Sequence, residues 1–218
     1  SSIPFVHKPI EIPGSLKEVS TDGKRLYATP EGIFPSGTTV VGFKKQQFFA
    51  GWRAKNPEES RRVTTRGTKF HSIIESYLKN EEIDYDNLHS SYKGLFSLMK
   101  PELHKINNII ALETPLWSKT LGLAGRTDCI AEYDGKLSII DFKASTKEKR
   151  EKDIDTYFAQ ACAYSLMFQE RTGIIIDNFA ILIACEDGLS QVFQGNPISY
   201  VKYLKSLITE YRELNGIS

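Results

Sequence analysis

The chain is poor in cysteine and methionine, has almost no excess of charge of either sign, and contains no long apolar run. Of its 218 residues only three are Cys. Cys129, Cys162 and Cys185 are too few and too scattered for a disulfide framework, which points to a reducing compartment. No two of them form a Cys-x-x-Cys pair, so neither a thiolate-held structural zinc nor an iron–sulfur cluster is expected. No stretch approaches the roughly 18 apolar residues of a membrane span. The opening residues, Ser1 to Phe5, read without the charged and apolar regions of a signal peptide. A glycine-rich G-x-x-x-x-G-K-[ST] loop is missing, which excludes a P-loop motor.

The composition that remains is that of a folded protein. Hydrophobic residues make up 40% and charged residues 25%, which argues against global disorder and for one elaborated domain with a sizeable core. Net charge is +1, but its distribution is uneven. Residues 42–70 hold eight Lys and Arg against Glu58 and Glu59, and residues 143–152 hold five against Glu148 and Glu151. A neutral protein with two concentrated basic stretches suits a polyanion bound on one side.

Periodicity divides the chain in two. Residues 1–37, rich in Pro and Gly, read as an irregular arm with at most a small hairpin. Residues 38–218 read as one domain: a helical part, 38–106, and a strand-rich part, 107–218. Helices are expected over Phe43–Lys55, 58–79 and 84–106, with Asn56-Pro57 ending the first and Pro101 disturbing the third. Strands are expected over Ile109–Trp117, Leu121–Tyr133 and Lys136–Lys143, the last two joined by Asp134-Gly135, a strong hairpin signal. A helix over 153–171 stopped by Gly173, a buried strand over Ile174–Cys185, a strand over Leu189–Gln194 and a closing helix over Pro197–Leu214 follow. The fold class is α/β, with a mixed central sheet.

The most informative stretch is Gly125-Arg-Thr-Asp128 followed by Ile140-Asp141-Phe142-Lys143. The hairpin allows Asp128 and Asp141 to point to one face, and Asp141 and Lys143, two apart on a strand, share a face. The apolar neighbours of Asp141 imply burial, and a buried carboxylate wants a metal or a cation. Two carboxylates and a lysine suit phosphodiester hydrolysis. Hard oxygens hold Mg²⁺ or Mn²⁺, the metal activates water, and the lysine orients that water or offsets transition-state charge. Asp-x-Lys alone is weak, because it also describes a structural ion pair. Glu113 on the preceding strand, His71 on a helix, and Gln160 and Tyr164 one turn apart on the following helix strengthen it.

Together these residues resemble the PD-(D/E)xK nucleases, in particular the RecB-type exonuclease branch. That pattern is G-x-x-x-H, a strand Glu, G-x-x-D, D-x-K and Q-x-x-x-Y in order. Here it is met by Gly67-x-x-x-His71, Glu113, Gly125-x-x-Asp128, Asp141-x-Lys143 and Gln160-x-x-x-Tyr164. The stretch Leu123–Lys143 looks most like the mitochondrial genome maintenance exonuclease group and its phage relatives. The resemblance implies a restriction-endonuclease-like core flanked by helices. It implies His71, Asp128, Asp141 and the Phe142 carbonyl as ligands of one or two Mg²⁺ or Mn²⁺, and Lys143 as the catalytic lysine. Glu113 becomes a supporting or second-metal carboxylate, while Gln160 and Tyr164 line the site. It implies no iron–sulfur cluster, since the cysteines that hold one in a related branch are missing here.

Substrate contacts are expected from the basic stretches. Trp52 and Arg53 lie on the first helix, where aromatics interleave with cations as single-stranded nucleic acid requires. Phe48 and Phe49 on that helix are expected to pack into the core. Arg61, Arg62, Arg66 and Lys69 lead into His71, while Lys147, Lys149 and Arg150 follow the catalytic strand. The expected function is a metal-dependent DNA exonuclease acting on single-stranded or frayed DNA, its residues 38–106 forming an arch over the strand. Replication or recombination proteins are the implied partners. The expected setting is the cytoplasm of a bacterial or phage-infected cell, or the mitochondrial matrix. The alternatives are an endonuclease of the same fold and a non-catalytic nucleic-acid-binding module.

Overall fold

The structure is a computed structural model and describes residues 4–217. The hairpin at Asp134-Gly135 sets the register of its main sheet. Asp134 and Gly135 take φ values of 50° and 81°, the two left-handed conformations that a type I′ turn demands. They join β5 (Leu123–Tyr133) to β6 (Lys136–Ser145). β4 (Ile106–Ser118) lies antiparallel on the far side of β5, with an irregularity between Asn107 and Ala111. β7 (Phe179–Cys185) pairs parallel with β6, and β8 (Ser190–Gly195) closes the edge antiparallel to β7. The order β4-β5-β6-β7-β8 is therefore a mixed sheet, as expected.

The parallel step needs a crossover, and α5 (Asp155–Thr172) supplies it. Gly173 ends that helix with φ 78°, a conformation that costs glycine nothing. Alternate residues of the strands feed two cores. Ile130, Ile139, Ile181 and Ile183 face α5 and α6 (Val201–Leu214). Cys129, Ile140, Phe142 and Leu182 face α3 (Pro57–Leu78) and α4 (Ser90–Leu103). The three cysteines are buried and free.

Several boundaries differ from the sequence reading, for local reasons. The strand expected over 174–185 begins only at Phe179, because the pairing with β6 starts at Ile139↔Phe179 and Ile175 stands in solvent. The third helix begins at Ser90, where His89 caps it by accepting from the Ser91 amide, and Pro101 lies in its last turns without ending it. The arm is more ordered than expected. β1 (Lys17–Glu18), β2 (Leu26–Thr29) and β3 (Gly32–Pro35) form a small antiparallel sheet. It is tied to the body by Trp117, whose Nε1 donates to Glu31 Oε2 at 2.8 Å. A short α1 (Gly37–Val41) and α2 (Phe43–Lys55) then lead into α3. No helix among the described residues is long and apolar enough to cross a membrane.

Candidate active site

Strand register assembles the site. Leu112 pairs with Cys129 and Thr114 with Thr127, which sets Glu113 across from Asp128. Cys129 pairs with Ile140, which sets Asp128 across from Asp141. Three carboxyl-bearing residues thus occupy neighbouring positions on β4, β5 and β6. Glu113 holds φ 47°, a left-handed conformation unfavourable for a residue with a Cβ, and strain of this kind gathers at functional sites. Beyond Cys129↔Ile140 the backbone ladder stops, and the Phe142 amide donates instead to Asp128 Oδ2 at 2.9 Å.

His71 enters from α3. Its Nδ1 lies 2.9 Å from the Gly67 carbonyl one turn back, and its Nε2 lies 3.1 Å from Asp128 Oδ2. The helical spacing of Gly67 and His71 produces the first contact, and it aims Nε2 at the carboxylates. Gly67 itself borders the cleft with open space where a Cβ would stand, so a side chain there would occupy room beside His71. Burial opposes a charged imidazole, but the Asp128 hydrogen bond and charge outweigh it and push His71 up to about 9.

The carboxylates are pulled apart electrostatically. Burial raises Asp128, yet the hydrogen bond and charge of His71 hold it well below the usual carboxylate range. Burial, with the Asp128 charge added against the opposing pull of Lys143, pushes Asp141 up to about 7. Burial, then the charges of Asp128 and Glu75, pushes Glu113 up to about 7. Lys143 Nζ sits 3.1 Å from Asp141 Oδ2 and 4.7 Å from the centroid of the Tyr157 ring. Burial works against its charge, but the Asp141 carboxylate holds it above the ordinary lysine range.

The donor set fits a divalent cation. Asp141 Oδ2 is buried with no aligned hydrogen-bond donor, since the Lys143 contact is an ion pair off the hydrogen-bonding direction. Carboxylate oxygens with one imidazole suit Mg²⁺ or Mn²⁺ in kind. Among the described residues no three His, Cys, Asp or Glu side chains stand as a ready-made metal cluster. His71 and Asp128, two of the candidate donors, are bonded directly to one another.

α5 closes the site from below. Gln160 Nε2 donates to Thr38 Oγ1 at 2.6 Å. A Cβ at Gly125 would lie 2.9 Å from Tyr164 Oη, so only glycine lets that tyrosine approach β5. Burial pushes the Tyr164 hydroxyl up to about 12, which keeps it a hydrogen-bond donor at neutral pH. The carboxylates line a cavity of ≈ 600 Å³ that meets a larger cleft of ≈ 1090 Å³. Thr38, Lys143 and Gln160 border both.

The residues expected to contact DNA divide into three groups. Lys149 and Arg150 border the larger cleft beside Lys143, with Arg150 also bonded to Asp153. Lys147 is exposed next to them, and Arg61, Lys69 and Trp52 are exposed elsewhere. Arg53 donates to the Gln46 carbonyl. Arg66 requires correction, and Arg62 beside it is exposed but engaged within the fold. Arg66 is buried and bound to Glu186 at 2.6 Å, and Arg62 is bound to Glu59 and Glu186. Their charges are neutralised within the fold. Phe48 and Phe49 require the opposite correction: they are 80% and 48% exposed on a helix with no buried residue. The sequence reading missed Arg25, Tyr27, Ser36 and Arg126 in the cavity wall. The first three come from the arm, and no local pattern signals that the arm reaches the site.

Residues 92–175 match the sequence profile of the PD-(D/E)XK nuclease superfamily. That stretch is similar to a PD-(D/E)XK nuclease core. The matched stretch holds Glu113, Asp128, Asp141, Lys143, Gln160 and Tyr164, and leaves out His71. Human Mitochondrial genome maintenance exonuclease 1 is 34% identical over 131 residues, covering 54% of this chain and 38% of that protein. The mouse protein of the same name is 34% identical over 92 residues, covering 42% and 27%. The chain thus aligns with well under half the length of these relatives. A solved structure from Eubacterium rectale, assigned as an exonuclease, gives a TM-score of 0.45 at 15% identity, covering 69% of this chain and 64% of that one.

Proposed function

We propose that this PD-(D/E)XK core is a metal-dependent deoxyribonuclease that works from the ends of single-stranded or frayed DNA and leaves 5′-phosphates. The observation that carries this reading is the row Glu113, Asp128 and Asp141 across three strands, with Lys143 ion-paired to the last of them, at the junction of two clefts. The names of the two relatives support the exonuclease mode and a role in genome maintenance; replication or recombination proteins are the partners such a role would have.

Asp128, Asp141, His71 and the Phe142 carbonyl would hold one or two Mg²⁺ or Mn²⁺ ions, with Glu113 in support. Such an ion, when bound, polarises the phosphate and lowers the pKa of water beside it. The chain's own groups do the rest. His71 gives up the proton on Nε2 and keeps Nδ1–H on the Gly67 carbonyl, which fixes the ring. Lys143 stays an ammonium, so Nζ donates rather than accepts. Its work is to orient the attacking water and offset charge on the phosphate as the bond breaks. Gln160 and Tyr164 position the phosphate from α5.

The test uses a labelled single strand, linear and circular, with Mg²⁺, Mn²⁺ or EDTA, for the native chain and Asp141→Ala. Metal-dependent shortening of the linear strand alone, lost in the variant, is the expected result. Cleavage of the circle would make the protein an endonuclease. Binding without any cleavage would make it a non-catalytic module.

A further inference from the structure

We infer that the phenyl rings of Phe48 and Phe49 form a stacking platform for unpaired bases, and that this platform, rather than the carboxylate centre, sets the preference for single strands. The inference rests on the nuclease reading only in taking the cleft's occupant to be a nucleic-acid strand.

Beyond Phe43, whose ring packs edge to face on Tyr211, α2 contributes no side chain to the core, yet it places three large aromatics in solvent. Phe48 and Phe49 both border the ≈ 1090 Å³ cleft. Their rings meet edge to face, with centroids 5.0 Å apart at 89°. In that geometry one ring braces the other, whose face stays open. The segment after β6 lines the same cleft, with Lys149, Arg150 and Lys152 interspersed with Glu148 and Asp153. Lys149 and Lys152 have no ion-pair partner among the described residues. Aromatic rings and free ammonium groups in one cleft match the two parts of a single strand, bases and phosphates. A duplex presents no free base face to such a wall.

The platform is held in place. Lys45 Nζ donates to the Asp153 carbonyl at 2.5 Å and to Thr156 Oγ1 at 3.3 Å, and Lys44 pairs with Glu210 at 2.5 Å. These contacts fasten the first turn of α2 to α5 and α6. The cleft then runs into the carboxylate cavity at Lys143 and Gln160. A strand stacked on Phe48 therefore continues to the reacting phosphate. An aromatic patch alone would equally suit a protein partner or a second copy. The cations lining the same cleft and its continuity with Lys143 favour a strand.

The test is fluorescence anisotropy in EDTA at fixed salt, with oligothymidylate, an abasic strand of equal length and a duplex. The double variant Phe48→Ala/Phe49→Ala is expected to bind oligothymidylate about tenfold more weakly, the loss of one stacked base. Its affinity for the abasic strand and the duplex should not change, and Phe48→Trp should retain the native preference. Both rings are exposed, so folding is not at stake. Equal losses on base-bearing and abasic strands, or no loss, or no strand binding at all, would overturn the inference. So would conversion of a dimer to a monomer with strand affinity unchanged. Manganese-dependent hydrolysis of bis(p-nitrophenyl) phosphate reports the centre separately and should be the same in the variant. A chain that stacks bases but hydrolyses nothing would fail the nuclease reading and keep this one.

Discussion

Arg66 on α3 binds Glu186, in the turn between β7 and β8, at 2.6 Å. The same guanidinium donates to Thr146 Oγ1 at 3.0 Å and to the Ala144 carbonyl at 3.3 Å, at the end of β6. One buried side chain thus fastens the helix that carries His71 to the strand that carries Asp141 and Lys143. Arg66→Ala leaves Glu186 with Arg62 alone and removes the guanidinium from Thr146 Oγ1 and the Ala144 carbonyl. Breaking a buried pair of this kind costs about 3 kcal/mol, or a fall in melting temperature of roughly 6–12 °C at this size. Differential scanning calorimetry checks it. Arg66→Lys should recover part of the loss, because a point charge reaches Glu186 but not all three acceptors.

The pH dependence of the metal-free protein has a definite sign. Asp141 and Glu113 are each raised to about 7, by burial first, and His71 is raised to about 9 against burial by Asp128. A folded state that binds protons more tightly than the unfolded one loses stability as pH rises. The carboxyl contributions are complete below about pH 4 and fade through 7. The His71 contribution is complete below about 6.5 and fades through 9. Depressed Asp128 acts in the opposite sense, only in acid. Thermal melts in EDTA should therefore fall steadily from pH 6 to 9. Mn²⁺ should raise the melting temperature most at the alkaline end, where Nε2 of His71 is freed. A flat or rising profile in EDTA contradicts the charge arrangement.

Asp141→Asn removes one of three crowded carboxyl groups. It should match or exceed the native melting temperature in EDTA at pH 8 and abolish the rise produced by Mn²⁺. Cleavage should be lost with it. Stabilisation of this variant by Mn²⁺ to the native extent would move the cation elsewhere.

Lys143→Ala should leave the binding of a single strand in Ca²⁺ within a few-fold of native while cleavage in Mg²⁺ falls below detection. Near-normal turnover in this variant would remove Lys143 from the chemistry.

Gly125→Ala brings a methyl group to 2.9 Å from Tyr164 Oη and 3.4 Å from Cε1. Overpacking on this scale costs roughly 1–3 kcal/mol. Adding Tyr164→Phe should recover part of the melting temperature, because the closest atom is then gone. Additive losses in the double variant would mean that the methyl group meets something other than the hydroxyl.

The sequence by itself determined the parts of this protein that depend on nearest neighbours along the chain. Asp134-Gly135 fixed a hairpin, and the hairpin register put Asp128 beside Asp141. A two-residue step put Lys143 on the same face as Asp141, and a four-residue step put His71 over the Gly67 carbonyl. These are consequences of strand and helix periods, so they survive reading without coordinates. Tertiary structure decided where charges and aromatics end up. Arg62 and Arg66 read as phosphate ligands until Glu186, distant in sequence, is found between them. Phe48 and Phe49 read as core until the fold packs α2 through Phe43 and leaves those two rings uncovered. The arm read as a bystander until Arg25 and Tyr27 appear in the cavity wall. In each case the deciding partner lies far along the chain. Burial and ion pairing are properties of what packs against a residue, and the local pattern does not contain them.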